Sequence, residues 1–286
     1  MAIITNTTVT TDLAPEITID IGSRLVENYN KLREILGIVG ARAVPEGTAL
    51  KRYKTTVGEL AEQVPEGEEI GLTKVTREAA DPIVLEMGKY RKLVTAEAIQ
   101  RSGRDVAIND TDEALVRQIR KNVKDTFFAS LADGTGTIES GDFQATLANG
   151  WGVISNYYED VDATPVFFVN PSDVADYLGK ATITTQEAFG FDYVENFLGL
   201  GTAIFSAKVP AGTVYATAKE NLNMAFIPSN GDVAESFELS YDETGLIGMT
   251  HNRVTSRASI ETLIISSVLF YAEDIAGVFK GTIAQG

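Results

Sequence analysis

The segment ALKRYKTTVGELAEQVPEGEEIGLTKVTREAADPIVLEMGKYRKLV, residues 49–94, constrains the fold more than any other part of the chain. Two strand-like runs, 49–57 and 83–94, enclose a polar middle that carries Gly58, Pro65, Gly67 and Gly71. Extended runs bounded by turn residues predict a long, charged β-hairpin. Within a single molecule such an excursion orders many residues while offering little apolar surface to cover. A long two-stranded projection makes sense when it lies on another subunit, so this segment predicts a chain that assembles with copies of itself.

The elements around it read as a mixed α+β chain. Residues 1–22, rich in Thr and Ile, predict an extended arm, with a disordered tail as the plainer alternative. Ser23 can cap a helix to about Leu36, where Leu25, Tyr29, Leu32 and Leu36 form one stripe and Gly37 and Gly40 end it. Residues 95–102 predict a short helix. Asn109 or Thr111 then caps the strongest helix, DTDEALVRQIRKNVKDTFFASLAD, with Leu115, Ile119, Val123 and Phe127 along one side. About 22 residues at 1.5 Å each make a rod of roughly 33 Å.

A further helix spans about 142–158, with Phe143, Leu147, Trp151, Ile154 and Tyr158 as its apolar face. TPVFFVNPSDVADYLG reads as a buried strand, a turn and a helix with Pro171 in its first turn. Short strands at 201–206 and 213–217 are joined by KVPAG, and SFELSY predicts another strand. RASIETLIISSVLFYAEDIAGVFKGTI reads as one long strand or a pair. Neither an internal repeat nor a low-complexity tract is present.

Composition removes several functions. The formal charge is −16, from 40 Asp plus Glu against 24 Lys plus Arg, so most of the surface would repel a polyanion. That balance suits a container for DNA, which must not bind its contents to the wall. With no cysteine, disulfides, thiolate metal sites and thiol catalysis are excluded. The first residues lack the basic and apolar regions of a secretory signal. The most apolar later run is broken by Glu273 and Asp274, so the chain reads as a soluble intracellular product.

The segment FFASLADGTGTIESGDF, 127–143, resembles a calcium loop with a fault. Counted from Leu131, residues Asp133, Thr135, Gly136, Ile138, Glu139 and Asp142 fall at EF-hand positions. Position one, however, is Leu131 rather than an acid, and Asp142 stands where a bidentate Glu is preferred. Asp133, Gly134 and Gly136 suit a helix stop and a domain crossing, so the segment is read as a joint.

Other candidates have simple readings. His251 is the sole histidine, without an assignable partner for a triad or metal site, and is expected at a surface or an interface. Asp110 and Asp112 are expected to cap a helix, and Trp151 to lie in the core. DGTGT lacks the dinucleotide-binding pattern, and no P-loop occurs. No catalytic, cofactor-binding or metal residue is assigned, and no cofactor.

The order of these parts resembles the major capsid protein of tailed bacteriophages, whose fold encapsulins and the herpesvirus capsid floor share. The most specific stretches are KLVTAEAIQRSGRDVAINDTDEALVRQIRKNV leading into LADGTGT, and VFFVNPSDVADYL. The resemblance covers nearly the whole chain. It implies an N-terminal arm and helix over 1–40, an E-loop hairpin over 41–94, and a peripheral domain with a spine helix over 95–140. An axial domain with a mixed β-sheet flanked by helices follows over 141–245, then a C-terminal β segment over 246–286 returning to the peripheral domain.

The function so implied is structural, not enzymatic. Copies form the pentamers and hexamers of an icosahedral virion shell, assembled in the host cytoplasm around DNA that is held without sequence-specific binding and without a membrane. Some relatives carry a cleaved N-terminal scaffolding domain. Here the hairpin begins near residue 45, so the resemblance implies either a separate scaffolding protein, which Met1 favours, or an already processed chain, and it implies a portal. Some relatives also cross-link a hairpin Lys to a neighbour's Asn; Lys51, Lys54 and Lys74 are candidates by location, with no Asn or Glu partner identified. The alternatives are an encapsulin-like nanocompartment shell and, more distantly, a calcium-binding helix–loop–helix protein.

Overall fold

The computed structural model describes residues 14–38, 40–57, 74–159, 162–179, 185–188, 190–241 and 244–284. Residues 1–13 of the expected arm and the polar hairpin middle, 58–73, lie outside the described residues. The α-helices are α1 (Ala14–Ile35), α2 (Ala96–Ser102), α3 (Thr111–Ala132), α4 (Phe143–Tyr157), α5 (Pro171–Leu178) and α6 (Asp232–Phe237).

Helix α1 starts at Ala14 rather than Ser23, so residues 14–22 are not extended arm. Pro15 suits a first turn, where its missing N–H costs nothing. At the other end Gly37 adopts φ 69°, and the amides of Gly37 and Ile38 donate to the carbonyls of Glu34 and Arg33. That pair of bonds is a Schellman close, which favours glycine at its left-handed position.

The long helix α3 has 22 residues, as its stripe predicts, and Ile119, Val123 and Phe127 are buried along it. Neither Asn109 nor Thr111 caps it. A π-turn, Val106–Asp110, feeds wound backbone directly into the helix, and the Thr111 hydroxyl donates back to the carbonyls of Ala107 and Ile108. Caps do appear at three shorter helices. Thr95 accepts from Ala98 N at α2, Asp142 from Ala145 N at α4, and Asn170 from Ser172 N at α5, where Pro171 opens the first turn.

The described residues form four sheets. The largest is mixed, in the order Gly136–Thr137, Phe279–Thr282, Thr213–Ala218, Pro165–Val169, Gly201–Phe205, Phe191–Phe197, Gln186–Ala188. The strands Gly201–Phe205 and Thr213–Ala218, consecutive in sequence, flank Pro165–Val169 on opposite sides and do not pair with each other. A second sheet runs Ser240–Tyr241, Gly248–Val254, Ser259–Ile265, Lys89–Thr95, and a third Ala41–Ala43, Leu222–Ile227, Ser267–Ala272. The fourth is the hairpin, Ala49–Val57 with Val75–Val84.

Three sequence expectations change here. The hairpin's return strand is 75–84, whereas the second half of the 83–94 run, from Lys89, belongs to the second sheet. SFELSY is only partly strand: α6 takes Ser236 and Phe237, leaving Ser240–Tyr241 as strand. The apolar C-terminal stretch forms three strands in three different sheets.

The α3 aromatics join the sheets. Phe127 lies edge-on to Phe168 of the large sheet at 5.5 Å and to Phe270 of the third sheet at 6.3 Å; Phe128 meets Phe168 and Phe191 at 5.8 and 5.9 Å. Such pairs add about 0.5–1.5 kcal/mol each beyond area burial. Helices α4 and α5 cover the opposite face of the large sheet through Leu147, Ile154 and Val174. The buried face of α4 is Thr146, Leu147, Gly150 and Ile154. Trp151 turns away from it and is 45% exposed, so it is not a core residue.

Candidate assembly site

The hairpin root is fastened to its own chain. Leu50 and Leu85 are buried with Val44, Ala225, Ile227, Leu269 and Tyr271, and Ile83 packs against the same cluster. Burying each such side chain contributes about 1.5–3 kcal/mol, enough to hold the root. The backbone of Tyr53 bonds the chain near the C-terminus in both directions: its amide donates to Glu273 O, and its carbonyl accepts from Ile275 N.

Arg52 sets the direction in which the hairpin leaves. The ladder shifts between Leu50↔Ile83 and Arg52↔Ala80, so Asp81 and Pro82 stand opposite a single residue. Pro82 has no amide to give a ladder, and a bulge is where a strand tolerates it. The freed carbonyl of Asp81 accepts from Arg52 Nε at 3.1 Å and Nη2 at 3.0 Å, while Nη1 donates to Asp133 Oδ2 at 2.7 Å. One buried guanidinium therefore ties the bulge to the end of α3.

Beyond this root, Glu78, Ala79, Asp81 and Pro82 are exposed. Among the described residues the two strands pair with each other and, outside the pair, only through the Tyr53↔Asp274 bridge. A lone two-stranded ribbon is marginal in water, and beyond the Tyr53 bridge neither edge is paired among the described residues. Of the three hairpin lysines, Lys51 and Lys74 are exposed, while the side chain of Lys54 lies outside the described residues.

The loop at 131–142 is a structural joint. Leu131 is fully buried in the α3 core, Asp133 holds Arg52, and Asp142 caps α4, so these acids serve separate partners. Gly134 and Gly136 lie against the strand Phe279–Thr282 and the residue before it. A Cβ on Gly134 would come within 2.7 Å of the Val278 carbonyl, and one on Gly136 within 2.4 Å of the Phe279 ring. The glycines are needed for this approach, in which Gly136–Thr137 pairs parallel with Phe279 and Lys280.

A buried charged cluster at the start of α3 was not legible in the sequence. Asp112 is fully buried and caps nothing. Its Oδ1 lies 2.8 Å from Lys92 Nζ and its Oδ2 2.8 Å from His251 Nε2. Lys92 also donates to Ile108 O at 2.7 Å and to the Thr111 hydroxyl. The cluster joins the adjacent parts of the second sheet to α3. His251 is thus a mostly buried structural partner rather than a surface residue, its side chain only 10% exposed.

Asp274 is held similarly. Tyr157 Oη donates to its Oδ2 at 2.7 Å, and Asn221 exchanges bonds with its backbone at 2.7 and 2.8 Å. Burial, reinforced by the Asp274 carboxylate, pushes the Tyr157 phenol well above its ordinary range.

On the far side of α3, cationic side chains gather between α1, α3 and the edge of the large sheet. Lys124 donates to Gly190 O at 2.7 Å and lies 4.0 Å from the centre of the Phe191 ring. Burial first, then repulsion from Arg120 and Lys208, pulls its ammonium down to about 8. No His, Cys, Asp and Glu grouping suited to a metal ion occurs among the described residues, and no described helix is long and apolar enough to cross a membrane.

No protein-family model and no curated protein sequence matches the chain. Solved structures do. The capsid of an empty GTA particle matches with TM-score 0.51 at 14% identity, over 89% of this chain and 89% of that one. The bacteriophage PhiM1 mature capsid gives 0.50 at 9% identity over 86% of each chain. The capsid of cyanophage P-SCSP1u gives 0.50 at 7% identity, over 86% of this chain and 87% of that one. Over these spans this chain has the mixed α+β fold of phage capsid proteins.

Proposed function

We propose that this chain is the major capsid protein of a tailed bacteriophage, whose copies form the pentamers and hexamers of an icosahedral head enclosing DNA. The observation that carries the reading is the hairpin, rooted by Arg52 and the Leu50–Leu85 cluster, that projects a two-stranded ribbon with open edges. Its free edges are satisfied if it lies across a neighbouring copy. The shared fold supports the same reading, since the matched structures are capsids and the match covers 86–89% of each chain.

The role is structural rather than catalytic. The acids and the histidine that could begin a reaction are committed instead to Asp112–Lys92–His251, to Arg52–Asp133 and to the cap of α4. The net charge of −16 keeps most of the surface from binding DNA, which suits a wall around it. In this reading residues 1–40 are an arm and helix, 41–94 the E-loop, 95–140 the peripheral domain, 141–245 the axial domain, and 246–286 the returning β segment. A separate scaffolding protein and a portal complete the assembly in the host cytoplasm, and the product resides in the virion.

Negative-stain microscopy of the purified protein, at low and at high protein concentration, tests the reading. Rings, tubes or shells are expected. A monodisperse monomer under both conditions overturns it.

A further inference from the structure

A cavity of about 500 Å³ opens between α1, α3 and the loops at Gly190 and Lys208. Six cations line it, Lys31, Arg117, Arg120, Lys121, Lys124 and Lys208, against one acid, Glu187. Across the chain acids outnumber bases by 40 to 24, so this wall inverts the general balance.

Half of these cations have partners within the chain. Lys208 pairs with Asp125, and Arg117 lies 3.7 Å from Glu113, which Arg24 approaches as well at 3.5 Å. Lys124 faces a carbonyl and an aromatic ring. Among the described residues no carboxylate comes within ion-pair distance of Lys31, Arg120 or Lys121. Like charges held together without counter-ions raise the energy of the free protein, and an anion entering the cavity relieves that repulsion.

We propose that this cavity is a binding site for a compact anion carrying several phosphate groups. The choice of phosphate over carboxylate follows from charge per volume. A phosphate monoester carries about −1.5 to −2 and offers three acceptor oxygens, whereas each carboxylate of a peptide brings one charge together with its backbone. Both side-chain types present suit phosphate: Arg as a planar fork, Lys as a compact point charge.

Geometry matches as well. Arg117, Arg120, Lys121 and Lys124 follow the three- and four-residue spacing of one helix face and span about 10.5 Å at 1.5 Å per residue. Successive phosphates of one DNA strand advance by about 3.4 Å along the axis, so roughly three fit this row. A free triphosphate chain presents the same charges, and Lys31 and Lys208 close on it from the other walls.

Calorimetry with sodium tripolyphosphate and fluorescence anisotropy with a labelled single-stranded oligonucleotide, both at low salt on the full chain, test the site. The wild-type protein is expected to bind at least one of them. Binding of tripolyphosphate identifies free polyphosphate as sufficient, and binding of the oligonucleotide alone identifies the nucleic-acid backbone as the source. The double variant Arg120→Gln/Lys121→Gln should weaken binding by about tenfold or more, since each removes a charged hydrogen-bond donor. Lys31→Gln, on the separate helix α1, should weaken it independently and keeps the test decisive if the double variant does not fold. Lys89→Gln, exposed in the second sheet, should bind as wild type.

Binding of neither probe, or equal binding by folded Arg120→Gln/Lys121→Gln or by Lys31→Gln, overturns the proposal. So does capture of a peptide of residues 58–73, which has five glutamates and no Lys or Arg, by a protein that ignores both phosphates.

Discussion

Replacing Arg52 by Met separates the two ends of its hydrogen-bond set. Met keeps the aliphatic stem and removes three donors and the charge. Asp133 is 56% exposed, so water takes over at its carboxylate, and a pair of that exposure is worth about 0–1 kcal/mol. The Asp81 carbonyl differs, because it accepts twice from a guanidinium whose side chain is 7% exposed. Bonds from a charged donor contribute about 1.5–3 kcal/mol, and here two share one acceptor. Arg52→Met is therefore expected to destabilise the hairpin root by about 2–3 kcal/mol, and Asp133→Asn by less than about 1 kcal/mol.

Native-state hydrogen exchange on unassembled protein reads the effect locally. The amides of Tyr53 and Ile275 bond Glu273 O and Tyr53 O across the root, so they report its opening. At a factor of ten per 1.36 kcal/mol, Arg52→Met should speed their exchange by roughly 30- to 150-fold. Asp133→Asn should stay within about fivefold by the same conversion. Equal acceleration by the two variants, or none by Arg52→Met, would refute the assignment of the root to the bulge carbonyl.

Asp112→Ala leaves Lys92 and His251 without their shared acid and should cost about 3–5 kcal/mol in urea unfolding, whereas Asp110→Ala on the exposed side should stay within about 0.5 kcal/mol. Gly134→Ala drives a methyl into Val278 and should cost about 1–3 kcal/mol by the same assay, with part of the penalty remaining in Val278→Ala because the Val278 carbonyl is also in the way. For Lys124 the folded ammonium titrates near 8, below its unfolded value, so the unfolded chain binds the extra proton above that pH. Stability of wild type relative to Lys124→Met should rise with pH from about 8 to about 10.4, and a flat difference across that window would contradict the burial assigned to it.

Much of the architecture is legible because its signals are local. Asn170 followed by Pro171 announces α5, and a four-residue stripe announces α3. What fails is information held between distant residues. Ser266 separates two buried strands in a run whose apolar residues show no period, so the boundary is invisible until each strand finds its own sheet. The polar strand 75–84, interrupted by Pro82, looks like loop until Asp81 meets Arg52. Trp151 misleads because a spacing of four from Leu147 resembles a stripe, whereas the buried face passes through Gly150. The Lys92–Asp112–His251 cluster and the cationic cavity assemble from segments far apart, and no spacing rule reaches across such gaps.

The position of Phe279–Thr282 in the largest sheet bears on when that sheet can be completed. That strand lies between Thr213–Ala218 and Gly136–Thr137, and Gly134 and Gly136 pack against it and Val278. A nascent chain that has already made Pro165–Val169 must add some 110 further residues before the slot is filled. At 5–20 residues per second that delay is on the order of ten seconds. Throughout that interval Thr213–Ala218, once made, lacks its neighbour on one side, and the domain crossing after α3 has nothing to close on. The largest sheet is therefore completed only at the end of synthesis, when its last-made strand enters between two that were made earlier.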